Sequence, residues 1–322
     1  MRIGFRDQGL GTRDQGLGTR GQGLGTRDQR FRGQGSGVRG QGAFVPRGGW
    51  CSWLRALTLA VALFGQPAWA EPPRVIALAP HLAELVFAAG AGETLVGTVA
   101  WSDYPPEATD LPRIGDAFRL DLERIIGLDP ELALAWKGGT PAAAAERLDG
   151  LGIEVVWVRT RSLDEIAEAL RLLGERLGSS AAAKDAAEAF MADLAERPPA
   201  PGERLLPAFY QVSARPLYTL GGRHIINEVL GRCGARNVFD DLDTEAAAVD
   251  FEAVLARRPL LIIAADEPGQ ADRLARWRSS RSSLPDQARL IEVNPDTLIR
   301  PTPRIIEGLD ELCAAIQADD SA

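Results

Sequence analysis

From Arg74 onward, short apolar runs alternate with segments of helical periodicity, and this alternation restricts the fold more than any other feature of the chain. The strand-like runs of the first half are RVIALA, TLVGTVA, LALAW and VVWV, and the helix-like segments between them include HLAELVFAAG and SLDEIAEALRLLGERLG. Strands that alternate with helices of this length favour parallel β-α-β units. The sequence therefore predicts an α/β protein.

One segment interrupts the alternation near the middle of the chain. SAAAKDAAEAFMADLAE, at 180–196, is rich in Ala, Glu and Lys and contains no Gly or Pro, so it favours a helix. The breaker cluster RPPAPGER follows, and the α/β pattern then restarts with LLPAFYQV. We therefore expect two Rossmann-like lobes with parallel sheets, residues 71–178 and 199–322, joined by one rigid interdomain helix within residues 179–198.

The N-terminal segment has a different character. Residues 1–44 begin with a repeat of RDQGLGT and RGQGLGT, and one Leu beside two Gly in each unit gives no coiled-coil seam, so we expect disorder. Residues 45–70 place Arg47 and Arg55 before a short apolar run and end in AWA, which is typical of a cleaved secretory signal. The run is too short to span a bilayer as an anchor, which is the alternative. We therefore expect the mature protein in the periplasm.

Aromatic side chains stand at two successive strand-to-helix corners. One strand-like run ends near Trp101 and breaks at YPP, residues 104–106, and LALAW leads Trp136 directly into GG at 138–139. Open α/β sheets bind ligands at the carboxyl ends of their strands, and flat side chains bury planar ligands efficiently. The pattern predicts a ligand-binding cleft; the alternative is that either Trp packs in a core.

Composition and motifs exclude several classes of function. The net charge is −8 and no basic stripe is present, which argues against a nucleic-acid partner. GAGETLVG precedes a strand and so is not a dinucleotide fingerprint, and neither G-x-S-x-G nor H-E-x-x-H occurs. We expect a binding protein rather than an enzyme, with no resident cofactor or metal. A hydrolase that uses only carboxylates is the alternative from another class.

Five short motifs occur in a specific order: RVIALAP at 74–80, SDYPP at 102–106, LERI at 122–125, AWKGG at 135–139 and RPTPR at 300–304. Through them, residues 74–316 resemble the helical-backbone metal-receptor family, whose members include the cobalamin-binding proteins of bacterial importers. The resemblance implies a class III substrate-binding protein that captures cobalamin or a related corrinoid without altering it. It also implies delivery to an ABC permease dimer with its ATPase subunits, by a monomeric receptor.

The resemblance implies ligand contacts from both lobes. They are Pro80, His81, Trp101, Phe118, Trp136, Tyr218, Asp296, Thr297, Leu298, Ile299 and Arg300. The Arg300 guanidinium suits a carboxylate or phosphate on the ligand, and an internal salt bridge is its alternative. The His81 imidazole suits the axial position of cobalt or haem iron, and a polar residue at a helix start is the alternative. We interpret His224 as structural.

Two departures from the family pattern leave the cargo open. Ala117, beside Phe118, stands where the cobalamin binders have a Trp, and a second Trp is replaced within the stretch 246–249. Tyr218 partly makes up for this loss. The same fold binding haem or a ferric siderophore is therefore the alternative.

Two further pairs of residues take a role from the resemblance. Glu123 and Glu252 lie near helix starts, one in each lobe, and the resemblance implies that they dock onto arginines of the permease; stabilisation by the helix dipole is the plainer explanation. Cys233 and Cys313 match cysteines of the cobalamin binders and are an even pair in an oxidising compartment. We expect a disulfide between them, with two buried free thiols as the alternative.

Overall fold

A computed structural model describes residues 71–116, 119–200, 205–265 and 272–318, and these build two β-sheets with helices around them. The predicted disordered segment 1–44, the predicted signal peptide 45–70 and Phe118 lie outside the described residues. No helix within the described ranges has the length and apolar character needed to cross a membrane.

The first sheet is entirely parallel. Its strands are β1 (Val75–Ala77), β2 (Leu95–Thr98), β3 (Leu132–Trp136) and β4 (Glu154–Val158). Their spatial order is β2-β1-β3-β4. The helices that connect and follow them are α1 (Pro80–Ala88), α2 (Leu122–Leu128), α3 (Ala142–Asp149) and α4 (Leu163–Leu177). This half is the N-terminal lobe, and it follows the predicted alternation of strands and helices.

The second sheet is mixed. Its strands are β5 (Leu206–Ala214), β6 (Leu217–Leu220), β7 (Ala235–Asn237), β8 (Ala246–Ala248), β9 (Leu261–Ala265) and β10 (Arg289–Val293). Their order is β10-β9-β5-β6-β8, with β7 also paired to β5. The strands β10, β9, β5 and β7 pair in parallel, whereas β6 pairs antiparallel with both of its neighbours, β5 and β8.

The α/β class with two sheets is thus confirmed, and the antiparallel strands are a difference of detail. Strands β6 and β8 contain only four and three residues, too few for an alternating pattern to be recognised in the sequence. The remaining helices of this C-terminal lobe are α6 (Ile226–Arg232), α7 (Phe251–Ala256), α8 (Ala275–Ser279), α9 (Pro295–Leu298) and α10 (Ile305–Gln317), and α5 (Ser180–Ala195) lies between the two sheets in the chain.

Helix α5 contacts both lobes closely. On the N-terminal side Ala183 lies directly against Gly174 of α4, where an added Cβ would come within 2.3 Å of the Ala183 Cβ. At its C-terminal end the Arg232 guanidinium, on α6, donates to the carbonyl oxygens of Leu194 and Arg197. Contacts of this kind at both ends leave little room for α5 to tilt, as expected for a rigid connection.

The disulfide between Cys233 and Cys313 is present. It joins the end of α6 to the middle of α10, inside the C-terminal lobe. The closed loop spans 80 residues, and the bond therefore restricts the unfolded chain strongly.

We predict that reduction of this disulfide destabilises the protein. In the chain-entropy model a loop of this length contributes about 4 kcal/mol to the free energy of unfolding. Urea unfolding with and without dithiothreitol measures the difference. The double variant C233A/C313A is the control, because its midpoint should not respond to the reductant; equal stability of oxidised and reduced wild type would contradict the prediction.

Candidate functional site

Three predicted ligand contacts follow the carboxyl ends of adjacent parallel strands. Ala77 of β1 is in register with Thr98 of β2 and Leu134 of β3, so these strands end at the same edge of the first sheet. His81 lies just beyond β1, Trp101 just beyond β2, and Trp136 is the last residue of β3. The fold therefore brings the three side chains to one edge, where open α/β sheets bind ligands.

Trp101 is the most exposed large apolar side chain of this edge. Its side chain is 76% exposed, so the alternative that it packs in a core is wrong for this structure. Its φ of 67° lies in the left-handed region, which costs a bulky residue on the order of 1–3 kcal/mol. An indole held outside the core on a strained backbone is available to cover a ligand.

Trp136 is half-buried and firmly held. Its indole lies over the backbone of Gly138 and Gly139, where added Cβ atoms would come within 2.6 and 2.4 Å of the ring. The His81 ring meets it edge to face, with 5.0 Å between the ring centroids. The two glycines therefore allow the indole to lie flat against the chain, and any side chain there would displace it.

His81 is buried, with 5% exposure, and its Nε2 has no hydrogen-bond partner among the described residues. Burial, and secondarily the Arg300 charge, lower the pKa of His81 to about 3, so the ring is neutral near pH 7. A neutral imidazole is a competent metal ligand, and here the ring is in contact with Trp136. The described residues contain no cluster of three or more His, Cys, Asp or Glu suited to a metal ion.

His224, at the start of the helical turn before α6, has a local explanation. Its Nδ1 accepts a hydrogen bond from the Ile226 N–H at 3.1 Å, and burial lowers its pKa to about 4. Such a contact is consistent with the structural role that we interpret for it.

In the C-terminal lobe, the predicted segment 296–300 follows β10. Thr297 and Leu298 are buried, and Leu298 lies against α10, where a Cβ at Gly308 would come within 2.7 Å of the Leu298 Cα. Both side chains therefore lie inside the C-terminal lobe, and their contact with a ligand stays a prediction from the resemblance. The side chains of Asp296 and Ile299 keep partial exposure.

Arg300 is engaged by three carboxylates. Its Nη1 donates to Glu84 Oε1 at 2.8 Å and to Asp103 Oδ1 at 2.6 Å, and its Nη2 pairs with Asp296 Oδ1 at 2.6 Å. The internal salt bridge that we considered as the alternative for Arg300 is thus present. Two of its three partners belong to the opposite lobe.

Glu84 is a site residue that the sequence analysis missed. Its side chain is 2% exposed, and its Oε2 accepts a hydrogen bond from Thr302 Oγ1 at 3.2 Å and lies 3.5 Å from the Arg304 guanidinium. Burial raises the pKa of Glu84, against the opposing effect of Arg300 and Arg304. An acidic residue inside the apolar helix HLAELVFAAG was the available signal, because a buried carboxylate requires partners.

A second set of polar contacts joins the lobes beyond β4. Arg161 pairs with Glu245 at 2.6 Å, and the Glu228 carboxylate accepts a hydrogen bond from the Leu163 N–H at the start of α4. Burial raises the pKa of Glu245. Since β2 and β4 are the two edge strands of the first sheet, the lobes are fastened on both sides of the edge that presents the aromatic residues.

The remaining predicted residues are placed as follows. Pro80 is the first residue of α1 and is half-buried. Tyr218 lies in β6 with 38% exposure, and within the described ranges no ring contact connects it to Trp101 or Trp136. Glu123 and Glu252 are each the second residue of a short helix, α2 and α7, and both are exposed. No ion pair involves either of these glutamates in the part of the chain that the structure describes.

Comparisons with known proteins place this geometry in a family. The model of the family described as "Periplasmic binding protein" matches residues 75–284. A vitamin B12-binding protein of Pectobacterium carotovorum is 34% identical over 269 residues, which covers 83% of this chain and 94% of the relative. A vitamin B12-binding protein of Salmonella paratyphi A is 36% identical over 260 residues, covering 80% of this chain and 96% of the relative.

Solved structures agree on the fold. The periplasmic vitamin B12-binding protein of Vibrio cholerae superposes with a TM-score of 0.67 and 30% identity, covering 78% of this chain and 99% of that structure. A periplasmic haem-binding protein of Roseiflexus sp. RS-1 superposes with a TM-score of 0.62 at 22% identity, covering 77% of this chain and 98% of that structure. This second likeness shows the shared fold alone.

The buried histidines predict a pH dependence of stability. Because the folded-state pKa values of His81 and His224 are lowered to about 3 and about 4, both rings stay neutral while the unfolded chain takes up protons below pH 6.5. The free energy of unfolding is therefore unaffected by these two histidines above pH 6.5, and it decreases as the pH falls below that value. Between pH 7 and pH 5.5 each should reduce the free energy of unfolding by about 1 kcal/mol.

Urea unfolding at the two pH values tests this effect. The variants H81Q and H224Q should each show a smaller loss than wild type, and the double variant the smallest. An unchanged difference between the two pH values in the double variant would contradict the assignment, since these are the two histidines of the chain.

Proposed function

The chain belongs to the periplasmic binding protein family, and we propose that it is the substrate-binding component of an ABC importer that captures cobalamin or a related corrinoid. The observation that carries this proposal is the identity of 34–36% to vitamin B12-binding proteins over nearly their whole length. The exposed Trp101 at the strand edge also supports the proposal. A corrin ring presents a broad, largely apolar face that an indole can cover. The chain then acts in the periplasm, after cleavage of the signal peptide behind Ala70.

In the proposed mechanism, binding involves no covalent chemistry. Trp101 covers one face of the ring, and Trp136 and Pro80 bound the cleft on the N-terminal lobe. Tyr218 and Ile299 contribute apolar surface from the C-terminal lobe, while Asp296 and Arg300 face the polar periphery. Phe118, which lies outside the described residues, is proposed for the same cleft. Aromatic side chains lose little entropy on binding, so they suit a large rigid ligand.

The geometry does not favour the carboxylate hydrolase. Catalytic carboxylates must reach the substrate, whereas Glu84 is buried with 2% of its side chain exposed and Asp103 and Asp296 are both paired with Arg300. We therefore propose binding without turnover. Haem is the second candidate, because His81 offers a neutral ring beside the cleft.

A titration of the purified mature protein with dicyanocobinamide, cyanocobalamin and haemin tests the proposed ligand. We expect stoichiometric corrinoid binding with unchanged ligand on recovery and weaker binding of haemin. If the protein binds haemin tightly, with a shifted Soret band, and binds neither corrinoid, the ligand is haem and the corrinoid proposal is wrong.

We predict that W101A weakens corrinoid binding about 30-fold, in the range observed when a binding-site Trp is truncated. The matched control is W157A, which removes a 37% exposed indole from the edge strand β4 and should leave the affinity within about twofold of wild type. Calorimetric titration measures both. Equal affinities of W101A and W157A would place the ligand elsewhere.

We propose that Glu123 and Glu252 dock onto the two permease subunits. Their exposure, their lack of ion-pair partners among described residues and their equivalent positions on α2 and α7 support this role. Two acidic side chains, one on each lobe, are complementary to a two-fold symmetric basic surface.

We predict that E123R/E252R abolishes uptake of labelled corrinoid by cells while corrinoid affinity in solution stays within about twofold, because like charges then oppose docking. The control E146R/E311R reverses one exposed glutamate in each lobe outside these positions. Uptake by the E123R/E252R strain at the rate of the control strain would refute the docking role.

A further inference from the structure

The charge balance around Arg300 restricts the kind of ligand that this cleft accepts. The guanidinium has three carboxylate partners, Glu84, Asp103 and Asp296, at 2.8, 2.6 and 2.6 Å. The Arg304 guanidinium is also close to this cluster, 3.5 Å from Glu84 and stacked over the Tyr104 ring at 3.8 Å. The three carboxylates outnumber these two guanidinium groups, and Arg300 is already paired with all three.

The excess of carboxylates at Arg300 affects ligands with carboxylate groups at their edge differently from ligands with amide groups there. A ligand carboxylate at Arg300 would have to displace one carboxylate or add a fourth, and like charges brought together in a partly buried site repel strongly. A primary amide carries no charge and donates two N–H groups, which carboxylate oxygens accept. The site as built therefore favours an edge of neutral amides.

Asp103 is the partner that is placed to impose this selection. Glu84 is buried with 2% of its side chain exposed, so it does not meet a ligand. Asp103 is 49% exposed, belongs to the opposite lobe from Arg300, and follows Trp101 by two residues. It contacts Arg300 directly, and under the proposed function its exposed side chain lies next to the ligand.

We propose that Asp103 is a specificity-determining residue: by occupying Arg300 from across the cleft, it excludes tetrapyrroles edged with carboxylates and admits those edged with amides. The inference rests on the proposed function, since it takes Arg300 to border the ligand. Selection against the wrong ligand by a charge that it cannot pair is a general route to specificity.

A pair of ligands that differ only at the edge tests this role. Dicyanocobinamide carries peripheral amides, and the same corrin with those amides hydrolysed to carboxylates carries negative charges on an unchanged ring and metal. Wild type should prefer the amide form. D103N keeps the size and one acceptor oxygen of the side chain but removes its charge. It should reduce the preference for the amide form by about tenfold, mainly because the carboxylate form then binds more tightly.

The matched control is E107Q, which removes the same charge from an exposed glutamate four residues further along the same segment. It should leave the ratio of affinities unchanged. D103S provides a second variant without the charge, and it should shift the ratio as D103N does. Thermal unfolding of each variant confirms that the ratio is measured on folded protein.

The outcomes separate the two proposals. A wild type that prefers the amide corrinoid, with a ratio unaltered in both D103N and D103S, would overturn the role of Asp103 and leave the proposed function standing. A wild type that binds the carboxylate form more tightly would also overturn the role of Asp103 while corrinoid binding stands. A wild type that binds neither corrinoid would overturn the proposed function together with the role of Asp103. If E107Q changes the affinity ratio as much as D103N does, the effect comes from the net charge of the protein, and the selection by Asp103 is refuted.

Discussion

The buried carboxylate of Glu84 is the interaction on which the arrangement of the two lobes depends. It lies in α1 of the N-terminal lobe, yet its partners Arg300, Thr302 and Arg304 all belong to the C-terminal lobe. A carboxylate removed from water is costly unless it is paired and hydrogen-bonded. The lobes therefore gain stability when they meet in the one orientation that supplies those partners.

The edge of the first sheet that carries Trp101 and Trp136 is built around that constraint. The contacts of Glu84 and Asp103 with the C-terminal lobe join the lobes on one side of this edge, and the pair of Arg161 with Glu245 joins them on the other. Helix α5 holds the lobes together behind these contacts. Trp101 is left exposed between the fastened sides, on a backbone that is itself strained. Stability supplied by the lobe contacts permits an unfavourable backbone conformation at Trp101, on the proposed binding surface.

Elements with a clear period were predictable, and contacts between distant segments were not. The strands of the first lobe and the long helices α4 and α5 follow from apolar spacing and composition, whereas β6 and β8 are too short to give a pattern. The aromatic corner at Trp101 was visible because a bulky side chain precedes a Pro-rich break. The partnership of Glu84 with Arg300, 216 residues apart, was not, because it depends on the packing of two lobes. The burial of Thr297 and Leu298 against α10 escaped prediction for the same reason.

The close packing of Ala183 on Gly174 bears on how a membrane partner would distinguish a ligand-bound receptor from an empty one. If the chain is the receptor that we propose, a connecting helix seated this tightly would leave the empty and the filled forms similar in outline. A transporter that grips both lobes at once would then meet empty receptors nearly as readily as filled ones. Discrimination between them would fall to local surface changes near the cleft mouth, and an excess of empty receptor would compete for the same membrane partner.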